Sequence, residues 1–264
     1  MILGIDVGGQ SVRFGVFDQK KRVHISHYKT TTTLEQTLYT NIDNLCATYP
    51  IQAIGIAWPG MVKHNVILKT PNIKWKTPHI AELLEKKLHI PVCIAHDVSC
   101  FLYAFYQEYQ DTTVLGLTLG TGLGGAFMRY GSFLGPMEIG HIMYNGQEAE
   151  ALLGAKGIIH LAKTLDIHVQ KPEQIITHKK GATFWHLYGT HLGTVTSIAQ
   201  NLLCAHHVII GGQIAKAHTH FKKGYNQALK KHTFTQVPKT RCTTHQYTGL
   251  YGATVMASKH LNTK

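Results

Sequence analysis

The segment ILGIDVGGQSVRFGVFD, residues 2–18, carries the pattern that decides the fold. Residues 2–7 form an apolar run that stops at Gly8-Gly9, and residues 12–18 alternate apolar and polar side chains. Alternation with a period of two marks a half-buried strand, and a glycine pair supplies a turn. The segment therefore predicts strand, glycine turn, strand. The same grammar returns in TVLGLTLGTGLGGAFMRY, residues 113–130, with a strand over 113–119, a glycine turn over 120–125 and a second strand over 125–130. Two units that open alike predict a duplicated α/β architecture: a first lobe over 1–109, a second over 110–264, and a central cleft.

Between these landmarks the pattern predicts a third strand over 24–30, a helix over 34–48 and a buried strand over 51–57 that ends at Pro59-Gly60. A loop carrying Pro71-Asn72 and Trp75 leads to an amphipathic helix over 80–88, the strand PVCIA over 91–95 and a helix over 99–109. In the second unit, helices are expected over 148–165 and 184–204, a short strand over 207–210, and a closing helix over 249–260 that is free to pack back on the first lobe.

The bulk composition sets limits on function. With 44% hydrophobic and 15% charged residues among 264, the chain is an ordinary globular sequence with enough length for two cores. No run of eighteen apolar residues occurs, so no membrane span is expected. Met1 leads straight into the first strand without a basic leader, which predicts a cytoplasmic protein. Five scattered cysteines with no CxxC pair point to reduced thiols, with no structural zinc site expected. The formal charge of +12 favours an anionic partner such as a phosphorylated substrate or polyanion. The basic pairs Lys20-Lys21, Lys179-Lys180 and Lys230-Lys231 are spread out, so neither a nucleic-acid nor a membrane partner is expected.

Three glycine turns follow strands: DVGGQS at 6–11, LGTGLGG at 119–125 and IIGGQ at 209–213. Glycine there lets backbone N–H groups approach a ligand and suits phosphate oxygens. None of the turns is a Walker A loop, and no GxGxxG opens a helix, which disfavours a P-loop or dinucleotide site. Asp97 ends the run PVCIAHD, residues 91–97. By residue type it suits either a helix N-cap or a carboxylate held at a strand tip for proton transfer.

Taken in order, ILGIDVGGQSVRFGVFD, GIAWPGMV, PNIKW, PVCIAHD, LGTGLGGAF, MEIGH, VIIGGQ and GLYGA resemble the ROK-type sugar kinases from residue 2 to about 257. The run GHIMYNGQEAEALL places no cysteines after His141, which is similar to the glucokinase and polyphosphate glucokinase branch that lacks the zinc-binding loop. The resemblance implies a two-lobed actin-like, ribonuclease-H-like fold and transfer of a phosphoryl group from ATP or polyphosphate to a hexose, glucose first.

Residue by residue, the resemblance implies that Asp97 is the general base. Asn72, His96, Glu138, His141 and Glu150 would contact the sugar, with Glu148 close enough in sequence to exchange with Glu150. Asp6 would hold Mg²⁺, partly through water. Gly8, Gly9, Gln10, Ser11, Gly120, Thr121 and Gly122 would line the phosphates, and Gly211 and Gly212 the nucleoside. A homodimer is implied. The absence of a helix-turn-helix segment ahead of Asp6 reads against the family's repressors.

Two departures matter. His96 stands where the family carries an asparagine, and Gln10 where it carries threonine or serine. They motivate a second expectation, a sugar-binding sensor without turnover, and a third, a kinase for another hexose or an N-acetylhexosamine.

Overall fold

The computed structural model describes residues 1–70 and 73–261. It divides into two compact units, Met1–Glu108 with Gln246–Lys264, and Tyr109–His245. In the first unit, β1 (Ile2–Val7) and β2 (Ser11–Asp18) form the hairpin around Gly8-Gly9, and β3 (Lys21–Lys29) extends it antiparallel. Helix α1 (Leu34–Thr48) follows, buried through Leu34, Leu38, Ile42 and Leu45, a helical stripe facing the sheet. β4 (Ala53–Trp58) pairs parallel with β1 and is buried at every position. A small hairpin of β5 (Met61–Lys63) and β6 (Val66–Lys69), helix α2 (Ile80–Leu88), β7 (Val92–His96), α3 (Asp97–Tyr103) and α4 (Tyr106–Tyr109) complete the run. The sheet order is β3-β2-β1-β4-β7.

The second unit builds β8 (Thr113–Leu119), β9 (Leu123–Arg129) and β10 (Ser132–Met137) as an antiparallel meander. A small hairpin of β11 (Met143–Tyr144) and β12 (Gln147–Glu148) precedes α5 (Ala149–Leu153), α6 (Ala155–Thr164) and α7 (Gly181–Leu203). Then come β13 (His207–Gly211), α8 (His218–His232) and β14 (Lys239–Cys242), giving the order β10-β9-β8-β13-β14. Both sheets therefore repeat one plan: a three-stranded meander with two parallel strands added beside its first strand. This is the mixed α/β, two-lobed actin-like fold that the resemblance implied.

Helix α9 (Thr248–Leu261) returns to the first unit and packs on β1, β4 and α3. The approach is close because glycines face it: a Cβ on Gly55 would sit 1.9 Å from the Ala253 carbonyl oxygen. In the second unit α7 lies along α8, with Phe184, Trp185, Tyr188 and Leu192 packed in the same core as Phe221 and Tyr225. Each such fully buried side chain stabilises by roughly 1.5–3 kcal/mol.

Some helices differ from the pattern reading. The helix expected over 99–109 begins earlier and breaks into α3 and α4, where the tighter bonds Phe105 N–H to Leu102 and Glu108 N–H to Phe105 interrupt it. The helix expected over 148–165 is divided at Gly154, which is pressed against Thr121: a Cβ there would lie 2.6 Å from the Thr121 carbonyl oxygen. Among the described residues no helix is long and apolar enough to cross a membrane.

Candidate active-site residues

In the first unit the parallel strands β1, β4 and β7 run side by side, with Asp6 level with Ala57 and Ala57 level with Ala95. Asp6 thus lies at the carboxyl end of β1, and Asp97 follows the carboxyl end of β7 on the same sheet. Ligands of open α/β sheets bind at that edge. The Gly8-Gly9 turn beside Asp6 is closed by Gly8 N–H to Ser11 O at 2.8 Å. Thr30 holds it from β3's far end, donating its hydroxyl to Gly8 O at 2.6 Å and its N–H to Gln10 O at 3.0 Å. Gly9 and Gln10 are exposed at the tip.

Asp6 is 3.6 Å from Arg13, its register partner on β2. Burial pushes the Asp6 carboxyl up from 3.8 to about 6; Arg13 pulls the other way, and the neighbouring charge of Asp97 adds to the rise. The first turn of α9 faces the same group, since a Cβ on Gly249 would lie 3.7 Å from an Asp6 oxygen.

Asp97 opens α3, and its Oδ1 accepts the N–H of Val98 at 2.7 Å. His96, the residue before the helix, brings Nδ1 to 3.1 Å from the same oxygen. The buried Nδ1 has no hydrogen-bond partner among the described residues. Asp97 is far more open than its neighbour, 45% against 14% side-chain exposure. Asn72 lies outside the described residues.

In the second unit the turn of Gly120, Thr121 and Gly122 joins β8 to β9, closed by Gly120 N–H to Gly122 O at 3.0 Å. Glu150, on α5, supports it: its Oε2 accepts the Leu123 N–H at 3.2 Å. A Cβ on Gly122 would meet that oxygen at 2.1 Å, so a larger residue there would displace the carboxylate. The second glycine turn is adjacent. Gly212, at φ +93, packs on Leu119, the residue before Gly120, while Gly211 ends β13.

Glu138 and His141 flank a short helical turn after β10. His141 Nδ1 is 3.2 Å from Glu148 Oε1, and His141 Nε2 is 4.0 Å from Glu138 Oε2. The fold therefore gathers Glu138, His141 and Glu148, and sets Glu150 against the glycine turn. All three members of the first group are exposed.

Sequence reasoning missed Arg13 and Thr30. Arg13 was accessible, because a turn over Gly8–Ser11 between Val7 and Val12 sets Asp6 opposite Arg13. Thr30 carries no local signal, being 22 residues from its partner Gly8. Among the described residues no three His, Cys, Asp or Glu side chains converge on a metal.

Residues 2–260 match the sequence pattern of the ROK family. A glucokinase of Streptomyces coelicolor is 28% identical over 159 residues, covering 54% of this chain and 49% of that protein. An N-acetyl-D-glucosamine kinase of Aliivibrio salmonicida is 30% identical over 207 residues, covering 73% of this chain and 67% of the relative. For several curated relatives, then, the match spans about half their length. A crystal structure from Cytophaga hutchinsonii is 26% identical with a TM-score of 0.87, over 97% of this chain and 99% of that one. With a matched pattern running almost end to end and each lobe's sheet in place, the chain belongs to the ROK family.

Proposed function

We propose that the chain is a sugar kinase that transfers a phosphoryl group from ATP to a hexose hydroxyl, the 6-hydroxyl of glucose first. The observation that carries this reading is the pair Asp6 and Asp97, two carboxylates at the ligand-binding edge of one sheet, one of them raised to about 6. In the proposed reaction Asp97 takes the proton of the attacking hydroxyl, the oxygen bonds to phosphorus, and the bond to the leaving ADP oxygen breaks.

The remaining roles follow the chemistry of each group. Asp6 fits Mg²⁺, since burial makes its charge costly and a cation would offset that cost. The ion, when bound, neutralises charge on the transferring phosphates. Glycine turns at Gly8-Gly9, with Gln10 and Ser11, and at Gly120–Gly122, with Thr121, present backbone N–H groups to phosphate. Gly211 and Gly212 would flank the nucleoside. His96, Glu138, His141 and Glu150 would bind sugar hydroxyls, as would Asn72. Glu148 would accept from His141 Nδ1 and orient the ring, leaving Nε2 toward the ligand.

Curated relatives named for glucose and for N-acetyl-D-glucosamine support hexose and aminosugar acceptors as the class. Polyphosphate is an alternative donor supported by the net charge of +12. A second reading, sugar binding without turnover, is favoured by one contact, His96 Nδ1 at 3.1 Å from the proposed base. A homodimer stays part of the proposal from the family resemblance alone.

The test is a coupled assay with glucose, mannose, N-acetylglucosamine and N-acetylmannosamine, each with ATP and with polyphosphate. Turnover of glucose with ATP is expected. Folded protein that turns over none of them with either donor removes the kinase reading, and calorimetric sugar binding without transfer establishes the sensor.

A further inference from the structure

The residues between His141 and Glu150 fold into the two-stranded hairpin of β11 and β12, with Met143 opposite Glu148 and Tyr144 opposite Gln147. Its turn is Asn145-Gly146, both at positive φ (+54 and +79), the mirror-image turn that Asn-Gly favours. The base is closed by Ala149 N–H to Ile142 O at 2.9 Å. Side chains alternate across such a ribbon, so Met143 and Glu148 share one face and Tyr144 and Gln147 the other. The Glu148 face carries the contact to His141 at 3.2 Å.

Two residues per strand give too little pairing for a hairpin to hold itself in water. Its position therefore leans on tertiary contacts, and the face opposite Glu148 has one of its own. Tyr144 provides one: its hydroxyl is 3.0 Å from His191 Nδ1, and the two rings meet edge to face at 5.7 Å and 73°. His191 belongs to α7, the longest helix described, which packs along α8 and into the core. Burial holds the His191 imidazole below its ordinary range, so it is neutral near pH 7 and able to accept the tyrosine proton at Nδ1.

We infer that Tyr144 and His191 are positioning residues, an anchor that ties the 142–148 hairpin to α7 and thereby sets Glu148 against His141. The inference rests on the reading of His141 as a sugar contact. The chain of action is mechanical: α7 holds Tyr144, the hairpin transmits the register, and Glu148 fixes the imidazole that meets the sugar. Sugar affinity then depends on a hydrogen bond on the far side of the hairpin, while donor affinity does not.

The experiment compares wild type, Tyr144→Phe, His191→Ala and the acceptor-preserving His191→Gln, with glucose as probe. Tyr144→Phe and His191→Ala are expected to raise the glucose KM about tenfold, with kcat changed less than about threefold and the ATP KM unchanged. A tenfold loss corresponds to one buried hydrogen bond of ordinary strength. His191→Gln is expected to recover most of the affinity, and the double variant Tyr144→Phe with His191→Ala to be no worse than either single one, because the pair acts as a unit. Amide hydrogen exchange over 142–149 reads the anchor without turnover: Tyr144→Phe should speed it at least tenfold and leave α8 unchanged. Unaltered exchange in that segment overturns the anchor. Faster exchange with an unchanged glucose KM, or an equal loss for ATP, overturns its role in sugar binding. A wild type that neither binds nor turns over sugar removes the function itself, and with it the sugar-binding half of the inference.

Discussion

Asp6 and Arg13 face each other at 3.6 Å across the β1–β2 ladder, one register pair before the Gly8-Gly9 turn. The pairing does not keep the carboxylate at its ordinary value, because burial outweighs it and holds Asp6 at about 6. A folded-state value above the unfolded 3.8 means that Asp6 favours the fold at pH below 3.8, a contribution lost as pH rises through about 6. At neutral pH the ionised group costs up to about 3 kcal/mol. Asp6→Asn is therefore expected to raise the thermal midpoint at pH 7, with little change near pH 4, while abolishing phosphoryl transfer. Calorimetric melts at the two pH values check the sign.

Two glycines separate structure from chemistry. A Cβ at Gly55 would overlap the Ala253 carbonyl of α9, whereas a Cβ at Gly120 would meet no other group within 4 Å. Gly55→Ala is expected to destabilise by about 3 kcal/mol or more. Gly120→Ala should melt like the wild type, yet raise the ATP KM if phosphate approaches that backbone. Denaturant unfolding and donor titration read the two effects separately.

His96 tests the choice between kinase and sensor. Its Nδ1 sits 3.1 Å from Asp97 Oδ1, and a protonated imidazole there would weaken a general base. His96→Asn is expected to raise kcat for glucose severalfold. A pH–rate profile of both proteins checks this; equal profiles would detach His96 from the base.

His191 carries a pH signature of its own. Burial depresses its protonation, so its contribution to stability is present above the ordinary histidine range and is lost as pH falls through the lowered value. The wild type should lose thermal stability on acidification more steeply than His191→Gln does, as parallel melts between pH 7 and 5 would reveal.

Much of this was legible in particular residues. The alternation in VRFGVFD and the glycine pair before it predicted β1, β2 and their turn, and the second copy at 113–130 predicted the repeated sheet. The place of Asp97 at the end of β7 was readable because an apolar strand stops just before it. Helix α8 was missed: its buried residues Phe221, Gly224, Tyr225, Ala228 and Leu229 are outnumbered by polar ones, and a glycine interrupts the stripe. The β11–β12 hairpin was also passed over, although Asn145-Gly146 is a strong hairpin signal, because two-residue strands carry almost no periodicity. The pairing of Glu148 rather than Glu150 with His141 depends on that hairpin's register, which no local pattern encodes.

The most direct measurement of the central claim is the glucose-dependent rate of Asp97→Asn with ATP and Mg²⁺, set beside its glucose affinity by calorimetry. Asparagine keeps the size and the contact to the Val98 N–H but cannot take the hydroxyl proton. The expected result is a fall in kcat of at least about 100-fold with glucose affinity within a few-fold of wild type. A variant that retains the wild-type rate, or one that loses glucose binding while its kcat survives, would contradict Asp97 as the base.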